Sequence, residues 1–235
     1  MKYELIAEKP ANRTLIEQVL INRGLKPEDI NHYLSANEKD LIDPLKLDNM
    51  ERGARMYIKH IAADNPMTMI VDPDVDGMTS AALFINYTYK LFPAYVQNKI
   101  TYLCHSGKQH GLNDMMDEIP EDTKIMVLID SSSNDYEYHK ELADRGIDVL
   151  VVDHHEADKV SEYACVINNQ LSQGYSNKNI SGVGVIYKFC CYLDKKLGLY
   201  NAHDLEDLVS SGLIADMMDV RSFETRYLVS NGLNR

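Results

Sequence analysis

The sequence predicts an α/β fold: a parallel sheet flanked by helices on both faces, preceded by an N-terminal helical segment. From Pro66 onward, short apolar runs alternate with stretches of helical periodicity. That alternation marks a parallel sheet covered on both sides. Three of the apolar runs also end directly on acidic or imidazole side chains. In such sheets ligands collect beyond the carboxyl ends of the strands, so polar groups at those ends are positioned for chemistry.

Taken in order, residues 14–22 and 27–34 carry apolar side chains at helical spacing and are separated by Arg23-Gly24. A longer amphipathic stretch, 50–63, stops at Asn65-Pro66, since the residue before proline avoids the helical region. Residues 1–65 are thus expected to form a helical cap on a main domain spanning 66–235. Within that domain strands are expected at 67–71, 100–104, 125–129, 149–152 and 165–167. Helices are expected at 79–91, 135–145, 183–196 and 204–217.

At 235 residues, 45% hydrophobic and 26% charged, the chain has the length for one large domain or two small ones. No apolar stretch approaches bilayer length, so no membrane partner is expected. The start, Met1-Lys2-Tyr3-Glu4-Leu5, lacks the apolar stretch of a signal peptide. Cys104, Cys165, Cys190 and Cys191 show no Cys-x-x-Cys spacing, which favours a reducing, cytoplasmic setting. A formal charge of −12 argues against a broad basic surface for nucleic acid. Acids gathered at a metal site would be neutralised by the cations, so charge alone leaves the partner open.

The chemistry-bearing residues sit at the strand ends. Residues 149–152 run into Asp153-His154-His155, 67–71 into Asp72-Pro73-Asp74-Val75-Asp76-Gly77, and 125–129 into Asp130. Carboxylate oxygen with imidazole suits a divalent metal such as manganese, magnesium or zinc. The spacing Asp72-x-Asp74-x-Asp76-Gly77 is not a calcium loop, because position twelve is Leu83 and a strand precedes it. A solvated acidic turn is the plain alternative, although three carboxylates in five residues repel one another without a cation. Asp130 taken alone could simply lead into a helix cap. Asp216, after Gly212-Leu213-Ile214-Ala215, reads alone as an exposed helical acid and becomes a ligand candidate only in the ensemble. His32, His60, His139 and His203 read as surface residues. His105 and His110 flank Ser106-Gly107-Lys108 after a strand and are candidates for a substrate phosphate, against a plain polar loop. Ser181-Gly182-Val183-Gly184 opens a helix whose N–H groups could face an anion.

Together these residues resemble the DHH phosphoesterase family, most closely its RecJ-like single-strand-specific exonuclease branch. The first motif resembles Asp72-x-Asp74-x-Asp76-Gly77-Met78-Thr79-Ser80, the second is Asp130, the third Asp153-His154-His155-Glu156, and the fourth Asp216. Arg23-Gly24-Leu25 with Leu41-Ile42-Asp43-Pro44 resembles the family's helical N-terminal segment. Asn168 and Ser181–Val185 resemble its phosphate-side loop and helix, and Glu224-Thr225-Arg226 its Glu-Asn-Arg triplet, with Thr225 in place of asparagine. Val71, Pro73 and Gln109-His110-Gly111-Leu112 also depart from the family pattern.

The resemblance implies a two-metal phosphodiesterase using manganese, with magnesium as the alternative. Asp72, Asp74, Asp76, Asp130, His154 and Asp216 would hold two ions, with Asp153 and His155 as the catalytic or supporting groups. His105, Lys108, His110, Gly182, Gly184 and Arg226 would contact substrate, with Lys178 and Arg221 as further backbone contacts. The implied substrate is single-stranded DNA, degraded from the 5′ end, with repair, recombination or replication proteins as partners. The alternatives are a short oligonucleotide, cyclic dinucleotide or pyrophosphate substrate, or a non-catalytic scaffold of the same fold. The family's second domain, joined after the fourth motif, is expected to be absent from these residues.

Overall fold

The computed structural model describes residues 10, 12–105 and 111–235. The elements run α1 (Leu15–Asn22), α2 (Ile30–Leu34), α3 (Met50–Ala62), β1 (Met67–Val71), α4 (Val75–Leu91), α5 (Pro93–Lys99) and β2 (Ile100–Cys104). They continue as β3 (Ile125–Ile129), α6 (Tyr136–Asp144), β4 (Asp148–Asp153), β5 (Cys165–Asn168), α7 (Gly182–Leu197), α8 (Glu206–Ala215) and α9 (Phe223–Gly232). The strands form one parallel sheet in the order β2-β1-β3-β4-β5. The chain leaves β1 outward to β2, then returns past β1 to β3. The carboxyl ends of β1 and β3 therefore flank the crevice where strand order reverses, which is where ligands bind in such sheets.

Side chains alternate across the sheet with the two-residue strand period. Met67, Met69, Val71, Val127, Ile129 and Val152 join a large core with Tyr57 of α3, Phe84 and Tyr87 of α4, and Val183 and Phe189 of α7. Ile70, Met126, Leu128, Val149 and Val151 face the other way, onto Leu142 of α6 and Leu112, Met115 and Ile119. Each such side chain, fully buried, contributes roughly 1.5–3 kcal/mol relative to exposure. β1, β3 and β5 are buried throughout, whereas β2 is an open edge with Tyr102 63% exposed. The far edge is covered, because the Asn49 side-chain amide donates to the carbonyl of Val166 at 2.8 Å.

Two local expectations change. α4 starts at Val75, four residues before its expected start at 79, because the Asp74 carboxylate caps it by accepting from the Gly77 N–H at 2.8 Å. The acidic segment is thus a helix entry, and Asp76 lies in the first turn. His60 and His139, expected at the surface, are buried. His139 lies one turn from Leu142 on the inward face of α6, and burial holds its imidazole below the ordinary pKa. His60 is fixed between Asp148 (2.8 Å) and Asn65 (3.1 Å). Finally, α3 packs its Met50, Ala54 and Tyr57 into the same core as the sheet. A smaller cluster of Leu25, Ile30 and Tyr33, against Phe223 of α9, holds the first helices in place.

Candidate metal centre

The five strands all end on polar side chains at one edge: Asp72, His105, Asp130, Asp153 and Asn168 follow or close β1, β2, β3, β4 and β5. α4 adds Asp76 from its first turn, and α8 delivers Asp216 as the residue just beyond its last turn. Ligand-capable atoms of Asp72, Asp74 and Asp130 lie within 4.8 Å of one another. The same holds for Asp76, His154 and Asp216, and for Asp130, His154 and His155. His154 Nε2 stands 3.2 Å from Asp130 Oδ1, 3.6 Å from Asp216 Oδ2 and 3.9 Å from Asp76 Oδ2. Asp130 and His154 thus bridge the three groups. Asp130 takes a φ of 60°, a left-handed conformation that aspartate tolerates better than most residues.

Asp76 is held from across the fold. Ser181 Oγ donates to it at 2.8 Å, and the backbone N–H groups of Gly182 and Val183 at 2.7 and 3.3 Å. The amino end of α7 therefore faces the chain's own carboxylate, where its dipole is favourable. Glycines clear the space around it. A Cβ on Gly182 would stand 2.3 Å from Asp130 Oδ1, one on Gly212 2.4 Å from Asp76 Oδ1, and one on Gly77 2.5 Å from Asp72 Cβ.

Asp153 has a different task. It is fully buried and accepts from the N–H of His154 (2.7 Å), the N–H of His155 (3.2 Å), His155 Nδ1 (2.8 Å) and the N–H of Ser133 (3.1 Å). Burial alone would raise its pKa; the His155 and Ser133 bonds outweigh that and bring it down to about 2. The bond to Asp153 raises the pKa of His155, against the opposing effect of burial. Asn168 braces the turn by donating to Ser133 Oγ at 2.8 Å and the His155 carbonyl at 2.9 Å. Asp153 thus orients both histidines and fixes which ring nitrogen of His155 is engaged. His155 opens onto a 260 Å³ cavity walled by Ser131, Ser132, Ser133, Asn134 and Asp135.

The donor set fits divalent cations. Asp130 Oδ1 and Asp216 Oδ2 are buried oxygens that lie near His154 Nε2, at 3.2 and 3.6 Å, but accept no well-formed hydrogen bond among the described residues. Burial, then the charges of Asp76 and Asp153, drive the Asp130 carboxyl far above its usual range; burial likewise raises Asp216. Carboxyls so crowded need positive charge to ionise, and a bound divalent ion supplies it.

The candidate substrate residues are placed less uniformly. Lys108 and His110 lie outside the described residues. His105 is buried at the end of β2, beside β1 in register, with neither ring nitrogen hydrogen-bonded among the described residues. Gly182 and Gly184 are buried, the latter tight against Ile180, so they serve packing and clearance. Arg226 lies over the ring of Tyr33 at 4.6 Å, which spends it on the N-terminal helices. Lys178 is turned inward onto the carbonyls of Asn169 and Ser172, and Arg221 is paired with Asp219 at 2.8 Å. Ser181, Ser133 and Gly212 support the site in ways sequence spacing did not reveal. Their partners are far away along the chain.

The profile of the "DHH family, N-terminal domain" matches residues 68–213. A protein of Bacillus subtilis strain 168 named as a prophage-derived single-strand DNA-specific exonuclease, YorK, is 40% identical over 235 residues, covering 100% of this chain and 40% of that protein. The single-stranded-DNA-specific exonuclease RecJ of Haemophilus influenzae is 26% identical over 243 residues, covering 97% of this chain and 42% of its own length. The chain thus spans about 40% of the length of these curated relatives. Among solved structures, an exonuclease RecJ bound to manganese superposes with a TM-score of 0.72 at 23% identity, over 83% of this chain and 50% of that one. RecJ of Thermus thermophilus with Mn2+ gives 0.68 at 22%, over 90% and 31%. At those identities the superpositions speak for the fold alone. With its motifs gathered at one sheet edge and the family profile running from β1 into α8, the chain belongs to the DHH family.

Proposed function

We propose that this chain carries the catalytic centre of a manganese-dependent phosphodiesterase that hydrolyses single-stranded DNA from its 5′ end, in cytoplasmic DNA repair, recombination or replication. The observation that carries the reading is the pair of ligand triads, Asp72–Asp74–Asp130 and Asp76–His154–Asp216, joined through Asp130 and His154. Each triad would hold one cation, with Asp130 shared. Ions there would neutralise charge on the scissile phosphate and supply a nucleophilic water at neutral pH. Mixed carboxylate and imidazole donors favour manganese, with magnesium the alternative. His155, held by Asp153 through one ring nitrogen, presents the other to the phosphate as a cation or proton donor. The relatives' names support the strand specificity, and the free cysteines support a reducing compartment. No helix among the described residues is long and apolar enough to cross a membrane.

The test is hydrolysis of 5′- and 3′-labelled single strands by the purified chain with Mn2+. Shortening from the 5′ end that is abolished in Asp130→Ala supports the reading; a wild-type protein inert on every phosphodiester offered sinks it. A second reading, a dinucleotide or other small substrate, draws support from the charge of −12 and from the engagement of Lys178, Arg221 and Arg226 within the fold. Rates on a long strand and on a dinucleotide, measured side by side, separate the two.

A further inference from the structure

The carboxylate cluster has an apolar lip that neither the ligand set nor the core explains. Val75, between Asp74 and Asp76, is 52% exposed, and Met78, one turn along α4, is 45% exposed. At the end of α8, Ile214 in its last turn and Met217 just past it flank Ala215 and Asp216 and are 47% and 87% exposed. Asp74, Val75, Asp76, Ala215 and Asp216 wall a single cleft of 170 Å³, so apolar and acidic groups share one opening. Single exposed apolar side chains need no explanation; four of them within two positions of the candidate ligands, on the two elements that wall this cleft, mark a contact surface.

A phosphodiester seated on the carboxylates brings its sugar and base to this lip. Among the described candidate cations, Lys178 is turned onto backbone carbonyls, Arg226 lies over Tyr33, and exposed Arg221 pairs with Asp219. Contacts to the bases would then add to the grip on the backbone. We propose that Val75, Met78, Ile214 and Met217 seat the nucleobase next to the bound phosphate. This rests on the nuclease reading above and adds to it the part of the substrate that is recognised. Every base has a flat apolar face, so such a seat tolerates any sequence. Isoleucine and methionine side chains wedge against bases in other nucleic-acid complexes, and methionine adapts its shape to what it meets. A base inside a duplex is withheld by stacking and pairing. The lip therefore selects single strands.

The experiment uses the whole chain with Mn2+ and two substrates: a labelled oligothymidylate and the same backbone made abasic. The wild type is expected to show a KM about 5- to 50-fold higher on the abasic strand, in keeping with base-stacking contributions. Ile214→Ser with Met217→Ser should raise KM on the intact strand toward the abasic value and leave the abasic KM where it was. Val75→Ser with Met78→Ser should repeat this from the other wall. Equal wild-type KM on both strands overturns the base seat and leaves the nuclease reading standing; this is also the result expected if the lip docks another protein instead. Equal loss on both strands in both double variants overturns it too, since the lip would then only support the metal ligands. A wild type that cleaves neither strand overturns both readings. The wild-type comparison needs no variant, so misfolding cannot hide the answer.

Discussion

Gly212 shows how tightly the site is fitted at the scale of single residues. A methyl group there would meet Asp76 Oδ1 at 2.4 Å and Thr79 Oγ1 at 2.7 Å. Neither has room to yield, because Asp76 is bonded to Ser181, Gly182 and Val183, and Thr79 donates to the Val75 carbonyl at 2.8 Å. Gly212→Ala should therefore cost about 1–3 kcal/mol of stability through overpacking, and weaken manganese binding besides. Paired thermal melts and metal titrations check both, and an alanine variant that binds manganese normally would show the fit to be looser than described. For Asp153 the expectation is positional. Asp153→Asn keeps the shape but loses an anion that fixes both histidines, so metal affinity or turnover should fall about 10- to 100-fold with the fold intact. Asp72, Asp130 and Asp153-His154-His155 stand out in the sequence because they follow apolar runs, whereas Asp216 is a candidate only in the ensemble. The grip of Ser181 on Asp76, 105 positions away, was not, because nothing in local spacing encodes it.

Among elements, the strands were read closely because parallel strands buried on both faces leave unmistakable apolar runs. α5 and α9 were not foreseen. α5 is short and opens on Pro93, and α9 buries Glu224 and Thr225, which breaks any amphipathic pattern. Those polar groups find partners only in three dimensions: Glu224 pairs with Lys188 at 2.5 Å and accepts from Tyr175 at 2.7 Å and Asn177 at 3.0 Å. The α7–α8–α9 packing is tied by a second buried carboxylate, Glu206. It accepts from Tyr187 Oη at 2.6 Å, His203 Nδ1 at 2.9 Å and Arg235 Nη2 at 3.0 Å, and from Asn231. Burial works against its ionised form, but the bonds from His203, Tyr187 and Arg235 leave its pKa below the ordinary 4.5. A depressed carboxyl stabilises the fold fully above its unfolded pKa and loses that contribution as pH falls through the folded value. Glu206→Gln should thus lower stability by about 1.5–3 kcal/mol at neutral pH, as expected for hydrogen bonds to a charged group. The gap in melting temperature should close as pH drops below 4.5; a gap constant with pH would assign the effect to shape instead of charge.

At the scale of the molecule, the acidic balance and the cation site are linked. The formal charge of −12 includes a cluster of carboxyls that destabilise one another when no cation lies between them. Ions binding only the folded chain should therefore stabilise it, by about 2.7 kcal/mol at a free concentration 100 times Kd. A manganese-dependent rise in melting temperature that disappears in Asp130→Ala is the expected outcome. An equal rise in that variant would locate the binding elsewhere on the surface. The fold class was legible from the alternation of runs, but the allocation of basic residues was not. Lys178 turns onto backbone carbonyls, Arg226 lies over Tyr33, and Arg221 pairs with its near neighbour Asp219, partners that spacing alone does not show.

The span between the first and last candidate ligands has its own consequence. β2, β3, β4 and β5 all lie between Asp72 and Asp216, and Asp130 and His154 come from the middle of that stretch. A half-made chain that stopped before α8 would lack Asp216 and present an incomplete group. The group of Asp76, His154 and Asp216 would then be completed only once α8 had docked.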